Sequence, residues 1–114
     1  MVNCESFRKL ANAFPGIEEI PHFEKISFRI NKKIFATLNG KQSQACVKLS
    51  ENDQYVFSIN DKSIIYPVPG KWGLQGWTMI ELAHVNKKIL KEILKSSYSE
   101  AAKIKNTKLI KDKA

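Results

Sequence analysis

Cysteine and histidine are scarce in this chain, two of each, and neither pair is spaced for chemistry. Cys4 and Cys46 form no C-x-x-C and no metal-ligand spacing, so two unpaired thiols are expected in a reducing compartment. His22 and His84 have no second nitrogen or carboxylate at i+4 and read as ordinary, partly buried histidines. No apolar run approaches the roughly eighteen residues of a spanning helix. The start, MVNCESFRKLA, places Glu5 where a signal peptide would continue its apolar stretch. A cytoplasmic location without membrane contact is the expectation. Also missing are the G-x-S-x-G elbow and H-E-x-x-H, while GKWGLQG has neither the P-loop spacing nor a lysine followed by Ser or Thr. Cys46 and His22 could be imagined as nucleophile and base, but no neighbour in sequence lowers the thiol pKa and no oxyanion donor is evident. The chain is read as non-enzymatic, with no catalytic residue, metal, cofactor or small-molecule substrate.

What is present is an ordinary globular composition, 43% apolar and 26% charged over 114 residues. That length buries one core without staples and leaves no room for a second domain. One domain is expected over residues 1–105, followed by a basic tail, 106–114, that frays. The formal net charge is +8. It is uneven: residues 87–114 hold nine lysines against Glu92, Glu100 and Asp112. Such a terminus strengthens non-specific contact with nucleic acid or anionic surfaces, and serves equally well as a solubility device.

Periodicity predicts the elements. Phe7, Leu10, Ala11 and Phe14 recur at helical spacing behind Asn3, a good cap, and Pro15-Gly16 stops the helix. IEEIPHF, ISFRI, KIFATL and ACVKL are short runs rich in β-branched and aromatic residues, separated by turn chemistry at Asn31-Lys32-Lys33 and Asn39-Gly40. They read as an antiparallel meander. Ser50 caps a short helix over ENDQYVFS, a strand is expected within residues 63–66, and WTMIEL is the last strand. Asn86 then caps a helix striped by Ile89, Leu90, Ile93, Leu94, Tyr98, Ala101 and Ala102. The fold class is α+β, a two-layer sandwich with N- and C-terminal helices on one face of an antiparallel sheet. Parity turns Ile26, Phe28, Ile30, Ala45, Val47, Leu49, Thr78, Ile80 and Leu82 inward. It leaves Ser27, Arg29, Cys46, Lys48, Trp77, Met79 and Glu81 on the other, open face, with Trp77 expected near Arg29 and Lys48.

The densest stretch is PVPGKWGLQGW, residues 67–77, with two prolines, three glycines and both tryptophans. Pro67 and Pro69 stiffen its approach, Gly70, Gly73 and Gly76 permit tight turns, and the tryptophans are read as locking the crossover onto the core. Trp72 in particular is expected to be a buried anchor. Trp77 is open to two readings, anchoring and presentation on the bare face.

With FPGIEEIPHFEKISFRINKKIFATL, VKLS and PVPGKWGLQGWTMIELAHV in that order, followed by a final helix, the chain resembles the bacterial MmcQ/YjbR-like family over residues 6 to about 102. PVPGKWGLQGW is the most specific part of the match. The resemblance implies a compact fold related to the frataxin-like and secretion-chaperone-like arrangements, and a DNA-binding role of the double-wing kind in a family whose biochemistry is poorly defined. It brings no catalytic residues. The helix after VKLS is short here, and the lysine-rich end is longer than the shared core needs. The iron site of frataxin-like proteins does not carry over, because the first helix mixes Glu5 with Arg8 and Lys9 and the nearest carboxylates are Glu18, Glu19 and Glu24.

Two functions from different classes follow. One is a DNA-binding module with Lys32, Lys33 and Lys41 at wing tips, Arg29 and Lys48 on the sheet face, Lys71 in the tryptophan loop, and Trp77 stacking on bases. Taken singly, each lysine is more simply a solvated turn residue. The other is a protein-interaction or chaperone-like module, a homodimer among its forms, that uses the same face without phosphate.

Overall fold

The computed structural model describes residues 2–22, 24–59 and 61–113, with side chains throughout these except at positions 22 and 103–113. In chain order the elements are α1 (Cys4–Asn12), β1 (Ile17–His22), β2 (Lys25–Ile30), β3 (Lys33–Asn39), β4 (Gln44–Lys48), α2 (Glu51–Ser58), β5 (Ile65–Pro67), α3 (Lys71–Leu74), β6 (Trp77–Glu81) and α4 (Lys87–Lys113). The expected fraying of residues 106–114 lies outside the residues described in full. Among the described residues, no helix is long and apolar enough to cross a membrane.

Local chemistry sets the boundaries. Asn3 and Ser50 accept the amide protons of Ser6 and Asp53, and Asn86 Oδ1 accepts those of Lys88 and Ile89, so all three long helices start on a side-chain cap. Between β2 and β3, Asn31 and Lys32 take φ of 52° and 67°, the left-handed pair of a two-residue hairpin turn whose twist matches the strands.

The six strands form one antiparallel sheet in the order β1-β2-β3-β4-β6-β5. The meander is therefore β1 to β4, and β6 inserts between β4 and the short edge strand β5. α1 and α4 pack on one face of the sheet. Phe7 of α1 meets Phe28 edge-on with ring centroids 5.7 Å apart, and Leu90, Ile93 and Leu94 of α4 are fully buried beside Phe35, Val47 and Ile80. Each such side chain contributes about 1.5–3 kcal/mol by leaving water. The inward residues are those that strand parity assigns.

One irregularity refines that pattern. The pairing steps from Phe28–Ala36 to Arg29–Ile34, so Phe35 is an extra residue on β3. This bulge turns both Phe35 and Ala36 to the core, and both are fully buried. Ser97 of α4 donates to the Phe35 carbonyl at 2.6 Å from a buried position, which supplies a partner beside the broken ladder.

Candidate functional site

The sheet face opposite α1 and α4 is built in rows fixed by the strand register. The central row runs Ile20, Ser27, Thr37, Cys46, Met79, Tyr66 across all six strands. Toward the end of the β2–β3 turn, Glu18, Arg29 and Ile34 are aligned on β1 to β3, and Lys48 stands opposite Trp77 on β4 and β6. Toward the other end lie Lys25, Asn39, Gln44 and Glu81. Apart from Lys25, which is exposed, and Ser27, which is covered, the residues from β2 to β6 in these rows are half-buried, as on a sheet face shielded by its own side chains.

Lys48 Nζ lies 5.6 Å from the centre of the Trp77 ring, close enough for a cation to be drawn to the indole face. Arg29 is on the same face, where its Nε donates to Ser27 Oγ at 3.4 Å. It is not beside Trp77, because β3 and β4 intervene; three strand spacings separate them by about 14 Å. The expected three-residue cluster is therefore a pair, Lys48 with Trp77, and a separate arginine that has Glu18 as its cross-strand neighbour.

The turn lysines divide as well. Lys32 is in the β2–β3 turn and Lys33 begins β3, at the same end of the sheet as Arg29, Lys48 and the start of β6, where Lys71 opens α3. Lys33 pairs with the inward Ile30, so register places it on the helical side and not on the bare face. Lys41 lies in the β3–β4 turn at the opposite end, where its Nζ is 3.3 Å from Glu24 Oε1. Successive hairpins turn at alternate ends, so the three wing-tip lysines form no single surface.

The tryptophan loop departs from expectation at its bulkiest residue. Trp72 is 62% exposed and its neighbour Leu74 87% exposed, so Trp72 is not an anchor in the core. Backbone closeness holds the loop instead. A Cβ on Gly73 would stand 2.0 Å from the Val68 carbonyl oxygen, and one on Gly76 would stand 2.0 Å from that of Leu49. Gly76 also takes φ of 105°, and its carbonyl accepts the Leu49 amide at 2.9 Å. Gln54 Nε2 of α2 reaches Gly73 O, Trp77 O and Thr78 Oγ1 at 3.0–3.2 Å and ties the loop to the helical layer. Pro67 ends β5, and Pro69 precedes Gly70, the residue that begins α3 without a side-chain cap.

Several open-face residues escaped the sequence reading, Lys25, Gln44 and Tyr66 among them. Lys25 follows from the parity of KISFRI, whose outward set begins one residue before ISFRI. The Tyr66 hydroxyl and Gln44 Nε2 both donate to Glu81 Oε2, Gln44 at 2.8 Å, and that pairing across β4, β6 and β5 needs the strand order to be seen. The hydrogen bond to Glu81 pushes the Tyr66 phenol up to about 12, and burial pushes the Cys46 thiol up to about 11. The carboxylates that follow α1 are dispersed. Register places Glu18 on the open face and Glu19 on the helical side, where Arg8 Nη2 and Asn12 Nδ2 each donate to it at 2.8 Å. Among the described residues, no three His, Cys, Asp or Glu side chains stand close enough to share a metal ion.

The YjbR family model matches residues 12–100. The chain belongs to the YjbR family. No curated protein matches it. Among solved structures it is similar to the crystal structure of the Deinococcus radiodurans protein DR2400, described as having the family-model domain DUF419, at 19% identity and a TM-score of 0.75 over 86% of this chain and 77% of that one. The YjbR match spans β1 through the first half of α4, so the open face and the tryptophan loop both lie within the shared domain.

Proposed function

We propose that this YjbR chain is a nucleic-acid-binding module, with DNA as its partner, acting through one end of the bare sheet face. The observation that carries the reading is the Lys48–Trp77 pair on a face free of α1 and α4, at the end of the sheet that also holds Lys32, Lys33 and Lys71. Lysines at one end of a surface can engage backbone phosphates, and a half-exposed indole stacks on a base whatever its identity. A single strand suits the site, since stacking needs bases that are not already paired. Arg29 adds a cation farther along the face, while Lys41 contributes little because it lies at the opposite end of the sheet.

The module works without chemistry of its own. The two groups on the face best suited to nucleophilic or basic roles, Cys46 and Tyr66, hold their protons up to about 11 and about 12. At neutral pH neither is a thiolate or a phenolate. The protein-interaction reading loses its simplest form, strand addition, because both edges carry proline, Pro21 in β1 and Pro67 in β5.

The test is a titration of tryptophan fluorescence with a single-stranded DNA oligonucleotide at two ionic strengths. Four engaged phosphates predict that affinity falls roughly fifty-fold between about 50 and 200 mM salt, with quenching that Trp77→Phe removes. An unchanged signal at micromolar protein in the low-salt buffer overturns the proposal. A dimer by size exclusion that Trp77→Ala disperses, with no DNA effect, favours self-association through this face.

A further inference from the structure

On the helical side, away from every residue invoked for nucleic acid, a groove of about 320 Å³ opens between α2, the segment before β5 and the start of α4. Its walls are apolar: Val56, Phe57, Ile64, Ile65, Val85 and Ile89. Val56 and Ile89 are 50% and 37% exposed, so the groove has open lips. Its polar lining is Asp61, His84, Asn86 and Glu92. The chain has nineteen lysines and arginines and eleven acids, yet this lining has two carboxylates and neither a lysine nor an arginine. We infer that the groove binds a small organic cation, an ammonium group carried on an aryl or branched alkyl body.

Two competing effects must be weighed. The start of α4 would ordinarily favour an anion through its free amides, but Asn86 Oδ1 already accepts from Lys88 and Ile89, so these donors are taken. The overall charge of +8 repels a cation, but at about 150 mM salt the Debye length of about 8 Å screens the distant lysines. Although Lys62 follows Asp61 and Lys88 stands one helical turn before Glu92, neither lines the groove, so the two carboxylates are the charges nearest its occupant. Asp61 is held ionised below its ordinary value by hydrogen bonds from the hydroxyl and amide of Ser63. The volume suits one ring with a short side chain, at the lower limit of ligand pockets, which start near about 300 Å³.

The experiment compares phenethylammonium, the neutral phenethyl alcohol and the anionic hydrocinnamate against the full chain at about 150 mM salt, read by methyl NMR shifts. Shifts are expected at Val56, Ile64, Ile65 and Ile89, with the ammonium binding about three- to tenfold more tightly than the carboxylate, the range that two exposed ion pairs supply. Glu92→Gln and Asp61→Asn should each bring the ammonium toward the alcohol. Asparagine keeps an acceptor for Ser63, so this variant should fold. Equal or tighter binding of hydrocinnamate, shifts scattered away from these methyls, or no saturable shift overturns the inference, and none of these outcomes bears on the DNA titration.

Discussion

Cys46 and Tyr66 share the central row of the open face, and both bind their protons more tightly in the folded chain than in the unfolded one. For the thiol the cause is first desolvation, and for the phenol it is first the hydrogen bond to Glu81. The sign follows. A raised acid pKa contributes stability that is complete below the ordinary value and is lost as pH rises through the folded one, from 9.0 to about 11 for Cys46 and from 10.0 to about 12 for Tyr66. The melting temperature should therefore fall across that alkaline window, and Tyr66→Phe should flatten its upper half; an unchanged alkaline limb in the variant contradicts the assignment. The same burial protects the thiol. Iodoacetamide should alkylate Cys46 slowly at neutral pH and faster as pH approaches 11, and mass mapping of the labelled peptide distinguishes it from Cys4. Sequence parity placed Cys46 on this face, but its proton affinity depends on burial in the assembled sheet, opposed in part by the charge of Lys25 on β2 and the backbone of Thr78 on β6, and no local pattern names these.

The tryptophan loop shows what element-level reading recovers and what it misses. Its glycines were legible as the residues that permit tight turns, and two of them press against backbone carbonyls. Trp72 misled, because size alone suggested burial, whereas α3 is only four residues long and has no second layer to cover it. The two kinds of residue should respond oppositely to substitution. Gly76→Ala combines a φ of 105° with a 2.0 Å approach to Leu49 O, so it should cost about 3–5 kcal/mol by chemical denaturation, while Trp72→Ala should stay within about 0.5 kcal/mol. Equal effects would mean that the indole, not the backbone, holds the loop. The β3 bulge was hidden for a related reason. KIFATL reads as simple alternation, and only a ladder interrupted at Phe35 lets two successive residues face inward. Ser97→Ala removes the hydroxyl that supplements this carbonyl and should cost about 1–3 kcal/mol in the same assay, the penalty of leaving a buried acceptor without that donor.

At the scale of the whole molecule, the class was legible because helix and strand periods alternate cleanly, whereas the order of the strands was not. Nothing local in WTMIEL says that it inserts beside β4 and pushes β5 to the edge, yet that insertion brings Trp77 opposite Lys48. The same topology gives the sheet two unlike ends. Lys32, Lys33, Lys48 and Lys71 gather at one, while Lys41 with Glu24, and Glu81 with Tyr66 and Gln44, occupy the other. Phosphate binding confined to the first end predicts an asymmetry that a diffuse basic protein would not have. Lys32→Glu and Lys48→Glu should each lower the slope of log affinity against log salt by about 0.7 or more on single-stranded DNA, and Lys41→Glu should leave it unchanged. The lysine-rich segment 103–114 is common to all three variants, so whatever it adds cancels in the comparison. Equal losses from all three substitutions would assign binding to net charge rather than to the Lys48–Trp77 end of the sheet.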